Sequence, residues 1–457
     1  MEPLRVSEIV AATGGRLLHG GDGVVTGISI DTRTLKPGDL YVAIRGKRLD
    51  GHEFIPQALE RGAIGVVQEA QAQAQAGVVI EVGKTTEALG RIAAYYRSRL
   101  QVKVVAVTGS NGKTTTKEML AAILNTRFRT LKPESSFNND IGVPLTVLRM
   151  DRSTEAAIFE IEMNELGGTE RLARICRPEV GIITNVGDTH LEFMRDRYGV
   201  AREKGELLEV LPNDGYAVLN ADDHVVVEVG DMYCHSRRLM YGVEKRAEVF
   251  ADRVVDMGLE GTSFCLQGQY PVTLPMPGKH NVGNCLAACA AAHCLGIDYE
   301  EMPSALAEFV PPPMRLRVIR FKNVVLVEDC YNANPQSMWA ALELLRDNGR
   351  PGHRIAFLGD MLELGAQSVY LHRTLGHEAA NIVDRLVVVG PMGEFVRQGA
   401  IETRMSPESV YRFASSGEAL SGLVDLVKSG DTILVKGSRA MAMELVSQEI
   451  QRLYGRD

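Results

Sequence analysis

Residues 104–120 read VVAVTGSNGKTTTKEML. A β-branched run gives way to Gly109, Ser110, Asn111 and Gly112, and Lys113, Thr114 and Thr115 follow as a helix-forming pattern begins. That order makes a cradle for an anion. Backbone N–H groups of the loop and of the helix N-terminus face phosphate oxygens, and Lys113 adds a point charge. The Thr114 hydroxyl is then placed for a Mg²⁺ ion. The spacing departs from the eight-residue Walker pattern, because Val107 stands where the first glycine would be, and it does not fit GxGxxG, which weighs against a dinucleotide. A mere strand-to-helix turn would need neither the lysine nor the threonine. The expected ligand is ATP or GTP.

Other polar groups recur just past apolar runs. Glu160 ends AAIFE, and Glu162 follows two residues on; on a strand such residues share a face, so both carboxylates can point one way. His190 lies in NVGDTHLEF and Lys204 in AREKGELL. Taken alone, Glu160 is as readily a surface carboxylate, His190 a hydrogen-bonded loop histidine, and Lys204 a solvated lysine on a charged helix. His280, Asn281 and Asn284 open a helix in PGKHNVGN, where neutral side chains suit a nucleobase and its ribose, or serve as caps. Asp329, Tyr331, Asn332, Asn334 and Ser337 crowd the end of VVLVE, a cluster that is either a site or a turn. In the first part of the chain, Asp31, Arg33 and the segment from Arg45 and Gly46 to His52 sit among DTR and PGD, which by themselves are turn signals.

The elements that must position these residues fall into three blocks. Residues 1–84 carry short strands around SIDTRTLKPGDLYVAIRG and GAIGVVQE, then a low-complexity stretch, QEAQAQAQAG. Residues 85–312 open with the helix TTEALGRIAAYYRSRL and continue through the strands KVVAVT, AAIFEI, VGIITNV and YAVLN. Pro311-Pro312-Pro313 breaks the chain as an interdomain linker would. Residues 313–457 alternate the strands NVVLVED, RIAFLGD, RLVVVG and TILVKG with helices such as SMWAALELLRD and SRAMAMELVSQEIQRLY. Buried apolar strands alternating with helices predict parallel α/β sheets, whose ligands lie beyond the carboxyl ends of the strands.

Composition narrows the function classes. With 457 residues the chain can build two to four cores. A net charge of −8 with dispersed Lys and Arg argues against a nucleic-acid surface. No apolar run is long enough to span a bilayer, and MEPLRVSEIVAATGG has charges where a secretory signal needs an apolar block, so a cytoplasmic protein is expected. The seven cysteines lack paired spacing and predict no structural disulfide. In NCLAACAAAHCLG, Cys285, Cys289 and His293 have helical spacing that would permit a metal, but small core side chains are the simpler reading.

TGSNGKTTTKEM resembles the ATP loop of the Mur ligases and folylpolyglutamate synthetases, which form amide bonds at the expense of ATP. DTRTLKPGDLYVAIRGKRLDGHEF, FNNDIGVPLTVL, RPEVGIITNVGDTHLEF, KGELL, GKHNVGNCLAA, DCYNANPQSM and LVKGSR extend the resemblance to Mur ligases over nearly the whole chain. The last two are most similar to the branch that joins D-Ala-D-Ala to a UDP-N-acetylmuramoyl tripeptide. The resemblance implies three α/β domains: a UDP-substrate domain, a central parallel-sheet ATPase domain and a C-terminal Rossmann-like domain. It implies an acyl-phosphate intermediate, Mg²⁺ held by Thr114, Glu160 and His190, and Lys204 carried as a carbamate that adds an oxygen ligand. Adenine contacts are implied at His280, Asn281 and Asn284, phosphate contacts at Arg315 on closure, and ribose or substrate contacts at Asp329, Tyr331, Asn332 and Asn334. Asp31, Arg33, Arg45, Gly46 and His52 would meet uracil and diphosphate, and Asn138 and Asn139 the muramyl substrate. Lys436 and Arg439 would pair with the dipeptide carboxylate, arginine being suited to a bidentate grip. A monomer is expected.

Two positions depart from the family pattern. Glu162 stands where the family usually has glycine, and Ser135-Ser136 where Gly-Asn is common. The ligase that adds the third peptide residue carries Asp-Asn-Pro-Arg, absent here. A nucleotide-binding regulatory protein would have no need of Lys113, Thr114, Glu160, His190 and Lys204 together.

Overall fold

The computed structural model describes residues 1–46, 48–70, 77–133, 137–187, 189, 191–194, 196–348 and 352–455. Residues 71–76, the low-complexity stretch, lie outside them, as do Ser135, Ser136 and His190.

The strand Lys103–Thr108 lies deep in a nine-stranded sheet. Its neighbours Ala156–Glu160 and Val180–Ile183 are parallel to it, as are Tyr216–Asn220 and Arg237–Gly242 beyond. Both faces of such a strand are buried, so its residues read as one apolar run rather than an alternation. Successive side chains still point to opposite faces. Val105 and Val107 join the core beneath the helices Lys113–Leu124 and Lys279–Cys294, whereas Val104 and Ala106 join the core beneath Thr85–Ser98 and Gly168–Cys176. An antiparallel extension, Val249–Asp256, Thr262–Leu266 and Tyr270–Leu274, completes the far edge.

Cys285 and Cys289 are fully buried on the Ala-rich helix, where small side chains allow close approach to Lys113–Leu124. His293 instead stacks on Tyr299 with ring centroids 4.3 Å apart. All seven cysteines are free thiols.

The N-terminal sheet has five strands, Arg16–His19, Val78–Val82, Gly65–Glu69, Asp39–Val42 and Gly27–Ser29 in spatial order, with Arg16–His19 antiparallel at the edge. Its core is continuous with the central one. Val42, Val67 and Ile80 share a buried apolar cluster with Leu89, Ile92, Phe159 and Leu172.

The C-terminal sheet orders its six strands Arg317–Arg320, Val325–Asp329, Thr432–Lys436, Arg354–Gly359, Arg385–Val389 and Val410–Phe413, all parallel except the first. The terminal pattern SRAMAMELVSQEIQRLY, expected as one helix, is broken: a short 3₁₀ turn at Arg439–Met441 precedes Ala442 in a left-handed conformation (φ 50°), and the α-helix runs only over Glu444–Tyr454. A non-glycine residue there cannot continue a right-handed helix. Among the described residues no helix is long and apolar enough to cross a membrane.

Candidate active site

The phosphate loop is pinned from the side by the segment after Val180–Ile183. Ser110 N donates to Asn185 O at 3.0 Å, Asn111 N to Asn185 Oδ1 at 2.9 Å, and Thr184 Oγ1 to Asn111 O at 2.6 Å. Gly109 (φ 140°) and Gly112 (φ 84°) take conformations that L side chains rarely adopt, and a Cβ on either would strike Thr184 Oγ1 or Asn284 Oδ1 at about 2 Å. Gly112 is the N-cap of the helix Lys113–Leu124 and offers no side chain to its first N–H groups, which stay open to an anion.

Two carboxylates and two lysines stand beside the loop. Glu160 is 1% exposed, so the surface reading of this residue is wrong. Its Oε2 accepts from Thr114 Oγ1 at 2.9 Å and lies 3.8 Å from Lys117 Nζ. Lys113 Nζ donates to Gly109 O at 2.7 Å and to Glu162 Oε1 at 2.9 Å. Asn138 Nδ2 donates to Glu160 Oε1 at 3.1 Å and to Glu162 Oε2 at 3.0 Å. Asn138, expected to touch the muramyl substrate, therefore faces the carboxylate pair. Asn139, expected beside it, uses Oδ1 to accept from Ile141 N and Gly142 N, as a helix cap.

The C-terminal sheet faces the same space. A cavity of about 450 Å³ is lined by Ser110 to Thr115 and Glu162 on one side and by Arg315, Asp329, Tyr331 and Lys436 on the other. Arg315 stacks over the Tyr331 ring at 4.1 Å and donates from Nη2 to Thr114 Oγ1 at 3.1 Å. Asn334 Nδ2 donates to Asn111 Oδ1 at 2.7 Å while its own Oδ1 caps the helix Pro335–Asp347 by accepting from Ser337 N. Asn332 also lines the cavity. Lys436 is buried, with Nζ 2.6 Å from Asp329 Oδ2 and 3.1 Å from Asn332 O. Arg439 is not brought to it: the guanidinium pairs with Glu444 at 2.6 Å, away from the cavity lining. His280, Asn281 and Asn284 line the opposite wall. Both asparagines also serve the helix start, Asn281 Nδ2 donating to Pro277 O and Asn284 Nδ2 to Asn281 Oδ1.

Lys204 corrects the plain reading of its helix. It lies on Arg197–Val210 at 1% exposure, with Nζ 2.6 Å from Glu203 Oε2, and is no solvated cation. It does not line the 450 Å³ cavity. Among the described residues no three His, Cys, Asp or Glu side chains form a metal cluster. The donors that do meet at the loop, the Thr114 hydroxyl and the Glu160 carboxylate, are hard oxygens of the kind that suit Mg²⁺.

A second cavity, about 570 Å³, opens on the N-terminal sheet and is lined by Asp31, Arg33, Tyr41, Gly46, Leu49 and Gln57 among others. Arg33 pairs with Asp31 at 2.7 Å and holds that carboxyl below its usual range. Burial pushes the Tyr41 hydroxyl up to about 12 as it donates to Gly51 O. Arg45 and His52 stand outside this lining. Arg45 pairs with Asp50 at 3.1 Å, and His52 accepts from Glu69 N at Nε2, so its proton sits on Nδ1 toward Asp50.

Lys117, Thr184, Asn185 and Gln336 escaped the sequence reading. Thr184 and Asn185 carry the signal of polar residues after a buried strand. Lys117 falls four residues after Lys113 on one helical face.

The chain matches family models over three spans: "Mur ligase family, catalytic domain" at residues 24–97, "Mur ligase middle domain" at 107–292, and "Mur ligase, glutamate ligase domain" at 314–439. It is 36% identical to the UDP-N-acetylmuramoyl-tripeptide–D-alanyl-D-alanine ligase of Escherichia coli (strain K12), over 95% of either chain. It superposes on a crystal structure of MurF from Acinetobacter baumannii with a TM-score of 0.90 at 31% identity, covering 99% of both chains. A MurF ligase from Thermotoga maritima, solved in complex with ADP, superposes with a TM-score of 0.82 at 27% identity, over 94% of this chain and 98% of that one. By sequence and by fold, this chain belongs to the Mur ligase family.

Proposed function

We propose that the chain is an ATP-dependent ligase that joins D-alanyl-D-alanine to a UDP-N-acetylmuramoyl tripeptide in peptidoglycan precursor synthesis. The observation that carries this reading is the meeting of two sheets at one cavity, where Arg315 reaches Thr114 across 3.1 Å. Carboxylate oxygen is a poor leaving group, so an amide cannot form from it directly. Transfer of the γ-phosphoryl of ATP to the terminal carboxylate releases ADP and leaves an acyl phosphate. The dipeptide amine then attacks the carbonyl carbon and gives up a proton as the C–N bond forms, and phosphate leaves with the pair of the broken C–O bond.

Lys113, the helix N-terminus behind it and Arg315 meet the charge of the phosphates. Thr114 and Glu160 supply oxygen ligands for Mg²⁺, with His190 and a carbamylated Lys204 as further ligands. The ion, when bound, screens repulsion between carboxylate and triphosphate. His280, Asn281, Asn284 and Asp329 are assigned to adenosine, and the cavity at Asp31, Arg33 and Gly46 to the UDP end, with Arg45 and His52 holding its loop. Tyr331, Asn332, Asn334 and Lys436 face the peptide side of the closed site. Domains 1–84, 85–312 and 313–457 belong to this reading, which is supported by each sheet drawing its strands from within one of these spans. A monomeric, cytoplasmic enzyme fits these substrates.

Phosphate release measured with each UDP-muramyl peptide, with and without D-Ala-D-Ala, tests the reading. Release is expected only with the tripeptide and D-Ala-D-Ala together. Release driven by a UDP-muramyl dipeptide and a single amino acid would instead identify the ligase of the third residue, and none with any pair a non-catalytic nucleotide-binding protein.

A further inference from the structure

The lysine of the phosphate loop already has a partner. Lys113 is 7% exposed, and its Nζ lies 2.9 Å from Glu162 Oε1 on the wall of the cavity. Asn138 fixes the other Glu162 oxygen with the same amide group that holds Glu160. Two carboxylates therefore stand side by side, Glu160 with Lys117 nearby and Glu162 with Lys113.

We infer that Glu162 is an internal counter-ion of Lys113 that makes nucleotide binding depend on a divalent cation. The inference rests on the reading of the loop as a nucleotide site. An arriving phosphate must compete with Glu162 for Lys113, which brings a carboxylate and an anion to one lysine in a partly buried place. Repulsion of that kind is weakly screened there. A divalent cation would offset that repulsion, and Glu160 and Glu162, held side by side by Asn138, would be oxygen donors to hold it. Glycine at 162 would leave the lysine open to phosphate with no carboxylate to neutralise, so metal and nucleotide would be less tightly coupled.

Calorimetric titration of the full chain with a non-hydrolysable ATP analogue, in Mg²⁺ and in EDTA, reads this coupling directly. The ratio of the two affinities is expected to be larger in the wild type than in Glu162→Gly by roughly tenfold, through tighter metal-free binding by the variant. Glu162→Gln removes the charge while keeping the shape, and is expected to behave as the glycine variant does. Thermal unfolding without nucleotide checks that both variants fold. Equal Mg²⁺ dependence in all three proteins overturns the inference and leaves the nucleotide site standing. Failure of the wild type to bind the analogue even in Mg²⁺ removes both.

Discussion

Arg315 and Thr114, 201 positions apart, are joined by a hydrogen bond of 3.1 Å from the guanidinium Nη2 to the hydroxyl. The same hydroxyl donates to Glu160 Oε2. Arg315 therefore ties the C-terminal sheet to the phosphate loop through a residue assigned to the metal. Its Nε is buried and has no hydrogen-bond partner among the described residues, an incomplete state that an anion in the cavity would relieve.

Arg315→Met should lose phosphate release by about 10²-fold, since a cation aimed at the phosphates is removed while the stack on Tyr331 is partly kept. Small-angle scattering adds a second measurement. If closure depends on this residue, the wild type contracts when the ATP analogue and UDP-substrate bind and the variant contracts less. Identical dimensions for empty and doubly liganded wild type would count against closure.

Lys113→Ala should keep the fold and lose phosphoryl transfer by about 10²- to 10³-fold. Glu162 would then lose its ion pair with Lys113, so Lys113→Ala with Glu162→Gly should be more stable to heat than Lys113→Ala alone. Near-wild-type phosphate release by a folded Lys113→Ala protein would take the loop out of the mechanism.

The proposed place of Lys204 at the metal requires its charge to be inverted, which carbamylation by CO₂ does. Lys204→Ala should lose most activity, and added acetate or formate should restore part of it. Mass spectrometry under CO₂ should show the adduct on the wild type. Full activity without rescue would leave Lys204 as a structural partner of Glu203.

His372 provides a pH test in the C-terminal domain. It is fully buried, accepts from Met361 N at Nε2 and carries its proton on Nδ1 toward Ser368 O. Burial holds its pKa below the ordinary value. A lowered histidine contributes stability that is present above the unfolded pKa, about 6.5, and is lost as pH falls toward the folded one. Unfolding free energy should therefore fall below pH 6.5, by up to about 1.4 kcal/mol per pH unit from this one proton. In His372→Gln that slope should flatten. Parallel pH profiles for the two proteins would assign the acid sensitivity elsewhere.

The α/β class was legible because it is written in local patterns. KVVAVT, AAIFE, RLVVV and TILVK are short, mostly apolar runs, three of them rich in β-branched residues, and their length suits strands covered on both faces better than helices. The loop from Gly109 to Thr115 was legible for the same reason, since its chemistry depends on neighbours in sequence. The break at Ala442 was not, because nothing in SRAMAMELVSQ marks a left-handed residue.

Relations through space were beyond the pattern. Glu160 closes its strand and Glu162 lies two residues beyond it, and their partners Asn138, Lys113 and Lys117 arrive from other segments. Lys204 reads as solvated because its helix alternates charges, and only packing shows it buried beside Glu203. Arg439 stands three residues from Lys436 and turns to Glu444 because Lys436 ends a buried strand and Arg439 opens the following turn. Covalent spacing determines which face or turn a residue occupies. Which charge meets it there is decided by chain closure over hundreds of positions, where desolvation makes each buried ion take the nearest partner that folding supplies.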